Sequence, residues 1–333
     1  MDPFVLNLNK LRAIKPALTF SAEKDYEEQK TAIAAKFKEL VKMPEPLKEC
    51  VPIIEYTTSE DPRFDEIRFA IESEPGFFVP AHLLYPKHTT GRIPLVICLQ
   101  GHSTGMHVSL ARERYPSAEP IAVSGDRDFC IQAVARGYAA LTMEQRGFGE
   151  LNFTGNKNAC HELSWQAILM GKTLLGDRLC DISNMISAVI GAFDFIDPAR
   201  IGCMGNSGGG TSSYYGACLD ERIKVSMPAS SFCGMVDAWG AIHHCSCSYI
   251  PDFVNWFDMA DLAVMIAPRY LIAVNGRLDH LQPYETAERE FKRVKAIFEK
   301  AGAGENCTLV TGPGGHRFYA DLSWDIFDQY INA

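Results

Sequence analysis

Residues 205–210 read Gly-Asn-Ser-Gly-Gly-Gly and place a single serine among four glycines. They directly follow the apolar run 201–204, so Ser207 lies where a strand is predicted to turn into a helix. A nucleophile on such a bend sits in strained backbone, and glycines at 205 and 209 leave space for neighbouring elements. The first amides of the next helix would stabilise a developing oxyanion. Ser207 is therefore a candidate nucleophile; the alternative is a serine that caps a helix in a glycine-rich turn.

A serine nucleophile needs a general base, and the base needs an acid that orients it. Asp279 follows the predicted strand YLIAVNG, and His316 follows a predicted strand in CTLVTGPGG. Each lies at the carboxyl end of its strand, where open α/β sheets bind their ligands. Taken singly, Asp279 could cap the next helix and His316 could be a surface histidine. The order Ser, Asp, His predicts a catalytic triad of Ser207, Asp279 and His316.

The elements that must position these side chains follow from the hydrophobic pattern. From residue 93 onward, short and continuously apolar segments alternate with helical patterns, near 127–136, 176–196 and 284–302. This alternation predicts an α/β fold with a mainly parallel central sheet flanked by helices. Near-alternating segments between 51 and 86 predict antiparallel strands, and residues 21–43 predict a helix capped by Ser21.

The same pattern predicts how the chain is organised. We expect an N-terminal helical extension over residues 1–48 and one catalytic domain over residues 49–333. Within that domain, a lid-like insertion at about 230–266 separates two core strands. Its aromatic residues could line a pocket or give the insertion a small core of its own; they are Trp239, Tyr249, Phe253, Trp256 and Phe257.

Charge and composition limit the partners. The 333 residues carry a formal net charge of −9 without a long basic run, which argues against nucleic acid as a partner. No apolar stretch is long enough to cross a bilayer, so we expect no membrane partner. The N-terminus lacks the features of a signal peptide, and the eleven cysteines form an odd, scattered set. We therefore expect a cytoplasmic protein with reduced, mostly buried thiols. Homo-oligomerisation is left open.

Six segments together resemble a known superfamily: EPGFFVPAHLLYP, LVICLQGHSTG, GYAALTMEQRGFGE, DPARIGCMGNSGGG, APRYLIAVNGRLDHLQP and GPGGHRF. From about residue 50 to its end, the chain resembles the α/β-hydrolase superfamily, within it the branch of acetylxylan esterases and dienelactone-hydrolase-like enzymes. The resemblance implies the α/β-hydrolase fold and a serine hydrolase that cleaves esters without a cofactor, often acetyl groups on sugars. Ser207, Asp279 and His316 match the triad of that family.

Two positions depart from the family pattern. Dienelactone hydrolases carry a cysteine as nucleophile where this chain has Ser207, which favours ordinary ester hydrolysis. Many relatives read His-Gly after the first parallel strand, whereas this chain reads Gln100-Gly101-His102. The backbone there can still donate hydrogen bonds. We therefore expect the amides of Gly208 and His102 to form the oxyanion hole.

A second cluster contains side chains that suit zinc: His243, His244, Cys245 and Cys247. Its spacing does not suit zinc, because adjacent histidines project in different directions and the Cys-x-Cys pair lacks a second pair. We expect a lid or pocket-wall segment, with no metal and no organic cofactor. Trp165 and the loop 151–162 are further candidates for the border of the site.

The most specific interpretation is a short-chain esterase that removes acetyl groups by a Ser-His-Asp acyl-enzyme mechanism. Its substrate would be a small-molecule or carbohydrate ester. One alternative is a serine peptidase or amidase related to prolyl oligopeptidase, which keeps the fold and triad. Another is a catalytically inactive binding protein on a hydrolase scaffold.

Overall fold

The computed structural model describes residues 2–114, 121 and 123–333. Within these residues nine strands form one sheet. The strands are Pro52–Thr58 (β1), Phe64–Glu74 (β2), Phe77–Pro86 (β3), Ile93–Leu99 (β4), Ala139–Met143 (β5), Ile196–Asn206 (β6), Ile223–Ala229 (β7), Tyr270–Gly276 (β8) and Cys307–Gly312 (β9).

The strands follow the order β1-β2-β3-β5-β4-β6-β7-β8-β9. From β5 to β9 all neighbouring strands are parallel, whereas β1, β2 and β3 pair antiparallel and β3 pairs antiparallel with β5. The sequence-based prediction of a mainly parallel sheet preceded by antiparallel strands is confirmed. The carboxyl ends of β4, β6, β8 and β9 meet at one edge, where loops from distant parts of the chain converge.

The helices cover both faces of this sheet. Their bounds are Pro3–Ala13 (α1), Tyr26–Val41 (α2), Phe129–Ala135 (α3), Cys160–Leu169 (α4), Leu174–Ala192 (α5), Gly208–Leu219 (α6), Tyr284–Lys300 (α7) and Ala320–Asn332 (α8). Along β4, Leu95 and Ile97 pack into a core with α2, α5, α6 and α7, while Val96 and Cys98 pack into a second core with α3 and α8. Alternation along one strand thus serves two hydrophobic layers.

The predicted cap of α2 is wrong. The helix begins after Asp25, whose carboxylate accepts the N–H of Glu28 at 2.8 Å. Ser21 lies outside the helix, where its N–H donates to Oε1 of Gln29 at 2.8 Å. Asp25 is an equally good capping residue and stands closer to the apolar positions that the helix buries.

The N-terminal extension packs on the insertion. The α2 side chains of Ile33, Phe37 and Val41 are buried in the same core as the strands. Before α2, the N–H of Leu18 donates to the carbonyl of Trp256 at 2.7 Å. The insertion itself contains only short helical turns, at residues 236–240, 246–248, 253–255 and 259–265. Residues far apart in sequence therefore hold each other in place here.

Most of the cysteine side chains are buried. All eleven cysteines are unpaired, and all but Cys50 and Cys245 are buried. Among the helices of the described residues, none combines the length and the apolar character needed to cross a bilayer.

Candidate active site

Ser207 occupies the sharp turn between β6 and α6. Its backbone has φ 56° and ψ −122°, a conformation that residues other than glycine rarely adopt. The N–H of Ser207 donates to the carbonyl of Ala229 at 2.8 Å, which ties the turn to the end of β7. Ser207 thus stands on the strand-to-helix bend that the sequence predicts, and the contact with β7 holds its strained backbone in place.

Glycines on both sides of Ser207 allow the close packing of this turn. A Cβ atom on Gly205 would lie 2.6 Å from the carbonyl oxygen of Leu99 and 2.5 Å from the carbonyl carbon of Gly209. A Cβ atom on Gly209 would also collide with the Leu99 carbonyl. Side chains at either position would therefore push β4 or α6 away from the serine, which gives the G-x-S-x-G spacing its steric reason.

Asp279 and His316 come together from the loops that follow β8 and β9. The His316 Nδ1 atom lies 2.9 and 3.0 Å from the two carboxylate oxygens of Asp279. An ionised carboxylate can only accept, so Nδ1 carries a proton, and in a neutral imidazole Nε2 is then the acceptor. The N–H groups of Leu281 and Gln282 donate to the same carboxylate at 2.9 and 3.1 Å. The carboxylate thus orients the imidazole and is itself held by backbone.

Two opposing effects act on Asp279. Burial raises the pKa of Asp279, but the hydrogen bond and charge of His316 and two backbone N–H groups outweigh it. The pKa of Asp279 therefore lies below its ordinary value, and the carboxylate stays ionised beside the imidazole.

Ser207 and His316 line one cavity of about 860 Å³. Among the described residues no hydrogen bond joins the two side chains directly. Catalytic hydrogen bonds often tighten only in a complex with substrate. The three residues predicted from sequence are thus brought to one site, with His316 between the buried Asp279 and the cavity that Ser207 faces.

Backbone beside Ser207 could supply oxyanion donors. Gly208 is the first residue of α6, where no intrahelical carbonyl is available to its N–H. A Cβ atom on Gly101 would lie 3.0 Å from the Ser207 Cβ and 3.2 Å from the Gly208 nitrogen. The segment 101–102 therefore runs directly alongside the turn. The assignment of the Gly208 and His102 amides to an oxyanion hole stays a prediction.

The insertion contributes one wall of the cavity through Trp239, His243 and His244. The Trp239 and His244 rings stack with centroids 4.7 Å apart and planes 17° apart. The other aromatics of the insertion lie elsewhere. Phe253 and Phe257 pack against Phe37 in the core, the Lys36 ammonium lies over the Trp256 ring, and Tyr249 is half exposed.

The loop 151–162 also reaches the cavity, through Asn156, Lys157 and Asn158. Trp165, the other candidate border residue, is 61% exposed and lies outside this cavity. Sequence reasoning missed Arg127 and Arg317, which line the cavity as well. Two features of the sequence could have indicated these cavity residues. Arg317 directly follows His316, and Arg127 stands at the start of a predicted helix.

Four potential metal ligands meet beside the cavity. His102 Nε2 lies 3.4 Å from the Cys247 sulfur and 3.6 Å from the Cys160 sulfur. Together with the Cys245 sulfur, these atoms all lie within 4.8 Å of one another. The sequence argument against a metal relied on the lack of a second ligand pair, yet the fold supplies His102 and Cys160 from other segments. His243 and His244 take no part in this group.

Known proteins share sequence or fold with this chain. No protein-family model matches the chain. A candidate hydrolase of Bacillus subtilis (strain 168), YtaP, is 27% identical over 243 residues, which cover 71% of this chain and 77% of that protein. A candidate acetyl xylan esterase from Bacteroides fragilis superposes with a TM-score of 0.76 at 17% identity, over 93% of this chain and 82% of that one. A glucuronoyl esterase from Solibacter usitatus superposes with a TM-score of 0.68 at 12% identity, over 96% of both chains.

The chain therefore has the α/β-hydrolase fold, and the fold class predicted from its sequence is confirmed. Acetyl xylan esterase 1 from Thermoanaerobacterium shares the same fold, with a TM-score of 0.60 and 18% identity over 97% of both chains.

Proposed function

We propose that this protein is a carboxylic-ester hydrolase that uses Ser207, His316 and Asp279 as a catalytic triad. One observation carries the proposal: a serine on strained backbone shares a cavity with a histidine whose other nitrogen is held by a buried carboxylate. This arrangement has the parts that acyl transfer needs, a nucleophile, a base and an orienting acid.

In the proposed mechanism, His316 Nε2 accepts the Ser207 proton as the hydroxyl oxygen attacks the ester carbonyl. Asp279 holds the imidazole in the productive tautomer and stabilises its protonated form. The amides of Gly208 and His102 bind the oxyanion of the tetrahedral intermediate. His316 then protonates the leaving alcohol, and a water molecule activated by the same histidine releases the acid. The chain's own groups complete the cycle without a cofactor.

For the substrate, we propose a short acyl group, most simply acetyl, on a carbohydrate alcohol. The cavity wall offers amides and hydroxyls from Asn156, Asn158 and Thr211, groups that suit sugar hydroxyls. Trp239 and His244, whose rings stack on each other, add aromatic side chains to the same wall. The esterases that share the fold support this choice, because their names specify acetyl xylan and glucuronoyl groups.

A substrate panel tests the proposal. We expect p-nitrophenyl acetate to be hydrolysed faster than p-nitrophenyl octanoate, and acetylated xylo-oligosaccharides to release acetate. Amino-acyl anilides should remain intact. Cleavage of anilides with little ester hydrolysis would instead support a peptidase, and no turnover of any substrate would support a binding protein. Faster octanoate hydrolysis would contradict the short-acyl pocket alone.

A further inference from the structure

We propose that His102, Cys160, Cys245 and Cys247 bind one zinc ion that fastens the insertion to the catalytic domain. The four residues come from three separate segments: the loop after β4, the first turn of α4, and residues 245–247 of the insertion. Three sulfur ligands and one imidazole form a set typical of structural zinc sites.

The distances agree with tetrahedral coordination. Zn–S bonds of about 2.3 Å and a Zn–N bond of about 2.0–2.1 Å place neighbouring sulfur and nitrogen ligands about 3.6 Å apart. The His102 nitrogen lies 3.6 Å from the Cys160 sulfur and 3.4 Å from the Cys247 sulfur. Two of the six distances between ligand atoms thus match such a tetrahedron, and the other four are no longer than 4.8 Å.

Charge supports the same conclusion independently. Arg178 is only 2% exposed, and its guanidinium donates to the Cys160 sulfur at 3.3 Å and to the carbonyl of Arg146. No carboxylate among the described residues forms an ion pair with it. A buried guanidinium without a counter-ion is costly. Three thiolates and a neutral imidazole around Zn²⁺ carry a single net negative charge, which would balance Arg178.

A second group of potential metal ligands differs from the proposed zinc site, because an arginine occupies it. His82, His107 and Glu150 also lie close together, but Arg68 already fills the space that a cation would take. Its guanidinium lies 2.9 Å from His82 Nε2 and 2.7 Å from a Glu150 oxygen. Among the described residues, no guanidinium bridges His102 and the cysteines in this way: Arg178 interacts with Cys160 and Cys247, and His102 has no arginine partner.

The position of the site defines its role. All four coordination positions are filled by side chains, which is typical of structural rather than catalytic zinc. The ion would join the insertion to α4 and to the segment that runs beside Ser207. It would thereby hold the cavity wall against the catalytic turn. The proposal does not depend on the reaction, since metal content can be measured whether or not esters are cleaved.

Metal analysis of the untagged 333-residue protein tests the site. We expect elemental analysis to find about one zinc ion per chain after gel filtration. Replacement by Co²⁺ should produce thiolate-to-cobalt charge-transfer absorption and the visible bands of tetrahedral cobalt. Iron in place of zinc would overturn the assignment, as would a folded, metal-free protein or a disulfide within the group.

Variants localise the ion. Cys160→Ser and Cys247→Ser should each lose the zinc and lower the melting temperature, whereas Cys218→Ser should keep both unchanged. Cys218 is a matched control because it is also buried and its thiol donates to a carbonyl, that of Leu262 at 3.6 Å, away from the group. Should the ligand variants fail to fold, the cobalt spectrum of the unmodified protein still decides the question. Zinc retained in folded Cys160→Ser and Cys247→Ser would overturn the proposal.

Discussion

The cavity is built from two regions that follow different rules. Its floor consists of the turn 205–208, where β6 ends and α6 begins, and of the loops that carry Asp279 and His316 after β8 and β9. Its roof, residues 230–266, is held by contacts with the distant N-terminal extension. The N–H of Phe20 donates to Asp261 at 2.8 Å, and the hydroxyl of Tyr26 donates to the carbonyl of Val264 at 3.0 Å.

This difference separates the chemistry from its enclosure. Floor side chains are placed by the sheet, so their replacement should abolish the reaction while the fold persists. Roof side chains are placed by long-range packing, so their replacement should change stability or substrate affinity more than the chemical step. The four predictions below test this division.

The largest effect is expected at the floor. Ser207→Ala should lower kcat for p-nitrophenyl acetate by about four to six orders of magnitude, because no other hydroxyl takes its place on the turn. A fluorophosphonate probe should label the unmodified protein at residue 207 and leave the variant unlabelled. Circular dichroism and the melting temperature should stay close to those of the unmodified protein.

Ser230 provides the control. It also has positive φ, 48°, but it is fully buried, and its hydroxyl donates to the Arg317 carbonyl at 3.1 Å. Ser230→Ala should therefore keep labelling at Ser207. Activity that survives in Ser207→Ala, or inactivation by a thiol reagent with Ser207 unmodified, would break the serine mechanism.

The floor was predictable because each part depends on local sequence. Apolar runs mark the strands, and the chain order of Ser207, Asp279 and His316 puts all three at one sheet edge. Glycines at 205 and 209 mark the sharp turn through steric need alone. The hydrogen bond between Asp279 and His316 then requires only that the two loops be neighbours, as β8 and β9 are.

The roof could not be predicted in the same way. Phe253 and Phe257 belong to the core with Phe37, a partner more than two hundred residues away in the sequence. Cys245 and Cys247 meet His102 and Cys160 only through the tertiary fold, because the three segments lie far apart in sequence. Such contacts leave no periodic signal, so the local spacing of the Cys-x-Cys pair was a poor guide to its surroundings.

The second prediction concerns the support of the roof. Phe37 is fully buried, with ring centroids 5.3 Å from Tyr215 and 6.2 Å from Phe257. Phe37→Ala should lower the free energy of unfolding by about 3–5 kcal/mol, since it leaves a cavity between α2, α6 and the roof. Urea unfolding measures the loss, and kcat of the folded fraction should change little.

Phe4 is the matched control, because it lies on α1 and is 55% exposed. Phe4→Ala should leave the free energy of unfolding within about 0.5 kcal/mol. A similarly small change for Phe37→Ala would show that the extension 1–48 is a separate unit, against the shared core.

The third prediction concerns how the free energy of unfolding depends on pH through Glu144, a buried carboxyl group near the floor. Glu144 follows β5, is 1% exposed, and accepts backbone N–H groups from Met106 and Glu150 at 3.1–3.3 Å. Burial raises the pKa of Glu144 from 4.5 to about 7, against the opposing effect of those two hydrogen bonds. Because Met106 belongs to the segment that also carries His102, the hydrogen bonds that hold this segment depend on whether Glu144 is protonated.

The sign follows from proton binding. Between pH 4.5 and about 7 the folded protein holds a proton on Glu144 that the unfolded chain releases. This contribution to the free energy of unfolding is therefore complete below pH 4.5 and is lost as pH rises through about 7, by about 3 kcal/mol. Urea unfolding from pH 5 to 8 should show a shallower decline for Glu144→Gln than for the unmodified protein. Glu288→Gln, on a half-exposed side chain, should not alter the decline. Equal slopes in all three proteins would contradict a protonated Glu144.

The smallest effect is expected where the roof touches substrate. The indole N–H of Trp239 is buried and has no hydrogen-bond partner among the described residues, although Trp239 lines the cavity. Such a donor is costly unless a ligand or water accepts from it. Because protein atoms cover this nitrogen, a hydroxyl of a bound carbohydrate would reach it only after neighbouring side chains shift, whereas p-nitrophenyl acetate has no hydroxyl to offer.

Trp239→Phe keeps most of the ring and removes this donor. It should raise KM for acetylated xylo-oligosaccharides about fivefold, the loss of about 1 kcal/mol of binding, and leave KM for p-nitrophenyl acetate within about twofold. Trp256→Phe makes the same change on the outer side of the roof, where the indole N–H donates to Asp252 at 2.7 Å, and should alter neither KM. Equal increases for both esters would mean that Trp239 shapes the cavity as a whole. Since the donor would then have no specific partner in the substrate, the assignment of a carbohydrate alcohol to this wall would be wrong.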